Sequence, residues 1–273
     1  LGLLGAWTSA EALDWSGTAR LAALAAAGVG TLALLGLFTP LGRGGLVGAG
    51  ALGGISVCWL GVAAAVSGTG SPTAAEQAEA GAVLAVVCVV VLGLLPRLAL
   101  MASGLSGLDD RRSGGTSVSR FQVSAALTAT HRGLALATVT MAVSATVAGV
   151  FALRAPTTWT VLLAVVTMVV LALRARAFPL VAEVVVLLGA AAVLALRLVS
   201  AWLDHSGGAA GPLAVLAVLA ALPLLVLAVQ PAEHVRVRLR RFGDTLESIG
   251  VITLFPLLIG VFGVYGRLLD TFA

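Results

Sequence analysis

Apolar runs close to twenty residues long, separated by short polar stretches, make up most of this chain. Crossing about 30 Å of hydrocarbon takes a helix of about 20 residues. Runs near that length lie at roughly Ala19–Phe38, Gly44–Val66, Ala80–Met101, Gly133–Leu153, Trp159–Leu173, Phe178–Trp202, Pro212–Val229 and Val251–Leu268. They do not alternate as barrel strands do, and an open sheet cannot satisfy its backbone groups in lipid. The pattern therefore predicts an all-α, polytopic transmembrane helical bundle with about eight complete spans. The run from Trp159 is short, and it can extend back to Thr157 or across Arg174. Leu1–Trp7 reads as the remnant of an earlier span, so residues 1–273 are expected to be the C-terminal part of a longer transmembrane domain.

Two connections are longer than the rest and rich in arginine. Ser103–Thr130 reads as a flexible polar loop whose second half, Phe121–Leu127, could form a short interfacial helix. Pro231–Gly250 is more distinctive. Val235, Leu239, Phe242, Leu246 and Ile249 recur at helical spacing, with Arg236, Arg238, Arg240 and Arg241 off that stripe and Arg240 placed i,i+4 from Asp244. The segment reads either as a basic helix in the membrane interface or as a docking surface for a cytosolic partner.

Composition removes the soluble alternatives. The chain is 60% hydrophobic and 10% charged, against about 25% charged in a typical soluble domain. All 16 basic residues are arginine. Without lysine there is no G-x-x-x-x-G-K-[ST] phosphate loop and no Schiff-base chemistry. The net charge of +4 resides mostly in loops between apolar runs, so it speaks for membrane orientation rather than nucleic acid. Cys58 and Cys88 both fall within apolar runs and read as small packing residues. His131, His205 and His234 accompany no metal or nucleophile motif, and no enzyme is expected. No cofactor or metal is expected, though bound lipids are.

The arginines also give a direction. Arg43, Arg97, Arg111, Arg112, Arg120, Arg132, Arg174, Arg176, Arg236, Arg238, Arg240 and Arg241 fall on one side, which leaves Arg20, Arg154, Arg197 and Arg267 toward the other. The richer side is the cytoplasmic one. Trp7, Trp15, Trp159 and Trp202 then sit at the outer interface, and the C-terminus lies outside.

Within the spans three charges stand out: Arg97, Glu183 and Arg197. Arg97 and Glu183 fall at similar depth in the inner leaflet, so they are expected to pair within a subunit or across a subunit contact. The competing reading has each snorkelling to the headgroups. Glycines crowd the second run at Gly44, Gly48, Gly50, Gly53 and Gly54, and the last run at Gly260, Gly263 and Gly266; small residues there imply close helix packing.

The third run ends LLPRLALMASGL, with Pro96, Arg97, Ala99, Leu100, Gly104 and Leu105. The C-terminal stretch reads RRFGDTLESIGVITLFPLLIGVFGVYGRL, with Arg240–Arg241, Leu246–Glu247, Pro256–Leu257 and Gly263–Val264–Tyr265. Both stretches resemble EccD, the many-spanning inner-membrane subunit of mycobacterial type VII (ESX) secretion systems. The resemblance implies a non-enzymatic scaffold that dimerises around a lipid-filled space beside EccB, EccC and EccE components. It further implies a preceding ubiquitin-like cytosolic domain and upstream spans. Arg236, Arg238, Arg240, Arg241 and Glu247 become the expected contacts with cytosolic partners. A secondary transporter or permease is the alternative, but its polar groups should converge at the bilayer midplane. Here midplane positions are almost wholly Ala, Val, Leu and Gly.

Overall fold

The computed structural model describes residues 17–38, 42–66, 72–102, 120–206, 208, 210–215, 217 and 233–272. Among them the helices are α1 (Gly17–Phe38), α2 (Gly42–Val66), α3 (Ala74–Ala102), α4 (Arg120–Ala152), α5 (Thr158–Arg174), α6 (Val181–Ser206), α7 (Glu233–Val261) and α8 (Val264–Phe272). A single 3₁₀ turn, Ala175–Ala177, follows α5. The described residues contain no strand, which agrees with the all-helical reading.

Six of these helices are long and apolar enough to cross a membrane: Gly45–Val66, Ala74–Arg97, His131–Ala152, Thr158–Ala177, Val181–Asp204 and Val237–Val261. A seventh, α1, carries a shorter apolar stretch, Leu24–Phe38. Most of the run Pro212–Val229, like Leu1–Trp7 and the loop before α4, lies outside the described residues.

Two predicted boundaries move. Phe121–Leu127 forms no separate interfacial helix. It is the first part of α4, whose 33 residues extend about 50 Å and so outreach the hydrocarbon. The last run moves as well. The basic segment and the span after it are one helix, α7, which ends at Val261 instead of continuing to Leu268. The break is at Gly263, whose φ of 68° is left-handed and suits a residue without Cβ. Arg267 Nη2 donates to the Phe262 carbonyl at 2.8 Å, and the Tyr265 hydroxyl donates to the Pro256 carbonyl at 3.1 Å. These donors serve carbonyls at and near the end of α7, where a cation also suits the helix dipole.

Contacts divide the chain into two compact units, Leu1–Val62 with Val90–Met141, and Ala63–Val89 with Ala142–Ala273. In the first, α1 and α2 form an antiparallel hairpin of small residues. A Cβ built on Gly45 would lie 2.8 Å from the Gly36 Cα, and one on Gly53 would meet Val29 at 3.6 Å. Gly48 faces Leu136 of α4. Gly50 and Gly54 of the same helix face open space. Cys58 is exposed, not packed, which corrects its reading as an interior residue.

In the second unit α3 and α4 also run antiparallel. Gly81 abuts Ala148, Phe151 and Ala152, and Cys88 Sγ lies 3.2 Å from Ser144 Oγ. Leu194 of α6 fills the space over Gly149. The helix starts carry their own donors and acceptors. Thr73 and Glu76 cap α3 reciprocally, and Thr157 and Thr160 do the same for α5.

Candidate functional site: the charged seam of α5 and α7

Helices α5 and α7 pack antiparallel, and the seam shows why α7 folds with the face it does. Trp159 lies against Gly260, Val170 against Gly250, Arg174 against Glu247 and Arg176 against Gly243. On α7 the packed positions Gly243, Glu247, Gly250, Leu254 and Leu257 are spaced four, three, four and three residues apart, the heptad spacing of a helix–helix seam. Glycine is required at close approach. A Cβ on Gly260 would stand 2.5 Å from the Trp159 ring, and one on Gly250 would stand 2.6 Å from Val170 Cγ2. Trp159 and Tyr265 pack with their rings tilted and centroids 5.2 Å apart at the Gly260 end.

At the other end the seam is ionic. Arg174 Nε donates to Glu247 Oε1 at 2.9 Å, with side-chain exposures of 11% and 20%. Its Nη1 donates to the Val89 carbonyl of α3, so one guanidinium ties three helices together. Arg176 Nε donates to the Leu173 carbonyl at 3.0 Å, its Nη2 lies 3.7 Å from Asp244 Oδ1, and its head rests over Gly243. Asp244 thus faces Arg176 of the 3₁₀ turn after α5, not Arg240 as the i,i+4 spacing suggested. Arg174 is buried in the last turn of α5. In lipid a buried guanidinium needs acceptors, and Glu247 and Val89 supply them.

The other predicted site residues lie on α3, α6 and α7. Arg97 is exposed on the part of α3 in the first unit. Glu183 belongs to the second unit, in the first turn of α6, and is fully buried. Its Oε2 accepts the Leu180 N–H at 3.3 Å, the N3-to-N-cap bond of a capping box. Arg197 Nη1 donates to Ser200 Oγ on its own helix. Arg238, Arg240 and Arg241 are exposed on α7, while Glu247 faces inward. Of the predicted apolar stripe, Leu239, Phe242, Leu246 and Ile249 are exposed, Phe242 most at 68%, while the Val235 side chain lies outside the described residues. The packed face is the one with two glycines and a glutamate, which a hydrophobicity pattern does not mark. The four–three spacing of Gly243, Glu247, Gly250 and Leu254 was the available signal.

These helices, with long apolar faces outward and charge confined to seams and ends, define a polytopic α-helical membrane protein. The family model of the EccD-like transmembrane domain matches residues 1–270, and the chain belongs to that family. Among solved structures it is similar to protomer 1 of the ESX-3 core complex, with a TM-score of 0.63 at 18% identity. The alignment covers 92% of this chain and 55% of that one, so the chain spans about half the length of its structural neighbour. At this identity the likeness shows the fold. No curated protein matches the sequence.

Proposed function

We propose that this protein is a non-catalytic membrane scaffold subunit of a type VII (ESX) protein secretion complex. The observation that carries this reading is the family match over residues 1–270, and the ESX-3 protomer with the same fold supports it. The buried charges fit a structural role: Arg174 and Glu247 bond to each other and Glu183 caps a helix. In this reading the protein lies in the inner membrane with its arginine-rich ends in the cytoplasm and its C-terminus outside. The orientation rests on the positive-inside rule. It pairs with a second copy around lipid and holds EccB, EccC and EccE components, the ATPase among them.

The test is purification of the intact protein from its native membrane in mild detergent. Recovery of a stable complex containing EccB, EccC and EccE components, identified by mass spectrometry, is the expected result. An isolated subunit whose melting temperature rises with a small solute would overturn it in favour of a permease.

A further inference from the structure

The face of α7 turned away from α5 carries a second pattern. Arg238 and Arg241 stand at its cytoplasmic end, followed along the same side by Phe242, Ile249 and Ile252, all exposed. The acids beside them are engaged elsewhere, Asp244 toward Arg176 and Glu247 with Arg174. Among the described residues Arg238 and Arg241 make no ion pair. Thr245 and Ser248, between the cationic and apolar parts, turn their hydroxyls back to the carbonyls of Arg241 and Asp244. One continuous strip therefore passes from uncompensated positive charge to an apolar surface 69% exposed at Ile252.

We infer that this strip binds an anionic phospholipid of the cytoplasmic leaflet. The phosphate lies between the Arg238 and Arg241 guanidiniums, and an acyl chain runs along Phe242, Ile249 and Ile252. Guanidinium forks match phosphate oxygens. A single molecule with a charged head and an apolar tail satisfies both ends of the strip, which a soluble acidic peptide cannot. The leaflet follows from the orientation proposed above; the binding itself does not depend on it.

The experiment reconstitutes the intact protein in nanodiscs of phosphatidylcholine doped with phosphatidylglycerol and counts retained lipids by native mass spectrometry. The two leaflets of a nanodisc are alike, so a wrong orientation or a wrong secretion assignment leaves this result unchanged. Selective retention of phosphatidylglycerol is expected. In the double variant Arg238→Gln/Arg241→Gln its affinity falls about thirty-fold, from about 1 kcal/mol per arginine at the surface and about 1.4 kcal/mol per tenfold. Arg240→Gln, which stands on another side of α7, leaves retention near the parent value. Equal losses for Arg240→Gln and Arg241→Gln would overturn the site and leave a diffuse charge effect. Absence of preference for phosphatidylglycerol also overturns it. So does a photocrosslinker at position 241 that captures a protein component instead of lipid in native membranes.

Discussion

Two helix seams of the same unit, α3 with α4 and α5 with α7, solve one problem by different means. Apolar side chains gain little by leaving lipid for each other, so association in a bilayer depends on close packing and on polar bonds. The α3–α4 seam relies mainly on closeness. Gly81 brings the Ala148 carbonyl within 2.5 Å of where a Cβ would stand, and Cys88 with Ser144 adds a polar contact. The α5–α7 seam also uses glycines, but anchors one end with the Arg174–Glu247 pair and a third helix's carbonyl. The first arrangement tolerates loss of a polar group and not a gain of volume. The second depends on charge being matched.

The sharpest test of that contrast is Arg174→Met. It leaves Glu247 facing the seam without its cation, and loss of one partner of a buried pair costs about 3–5 kcal/mol. A value near the lower end is expected, since Glu247 is 20% exposed. Adding Glu247→Leu should restore most of the loss, because the uncompensated charge is then gone. Reversible unfolding in mixed micelles measures both. A double variant as unstable as Arg174→Met would show that the seam needs the ion pair itself. Gly81→Ala comes next, at about 1–3 kcal/mol, because backbone atoms of α4 cannot yield as a side chain tip could. Thermal stability in detergent that equals the parent's would refute the close approach.

Smaller effects separate roles at single groups. Glu183→Gln keeps an acceptor for the Leu180 N–H, so its unfolding free energy should drop by less than about 1 kcal/mol. A larger loss would assign the carboxylate the ion pair expected with Arg97. Ser144→Ala removes one interhelical hydrogen bond and should cost about 0.6 kcal/mol, the average for such bonds between transmembrane helices. If it matched Gly81→Ala in unfolding free energy, the α3–α4 seam would be polar rather than steric.

The sequence alone determined the solvent and the class of structure. Runs such as Gly44–Val66 and Phe178–Trp202 are too long and apolar for a soluble core, and lipid then admits only helices. The stretches LLPRLALMASGL and RRFGDTLESIGVITLFPLLIGVFGVYGRL carried the family resemblance. What it left open were choices among faces and boundaries. Residues 231–250 look amphipathic when read by hydrophobicity, but the stripe through Phe242 does not say which face packs on a neighbouring helix. In lipid an apolar side chain has no reason to leave the surface, so packing chose Gly243, Glu247 and Gly250 instead. Whether Gly260, Gly263 and Gly266 act as one stripe was equally undecided. Gly260 meets Trp159, Gly263 breaks the helix with a positive φ, and Gly266 faces open space. Arg174 could be placed at the end of its helix from its number, but not against Glu247, which is 73 residues away. Burial of that pair depends on the approach of three helices, and only the tertiary structure sets that.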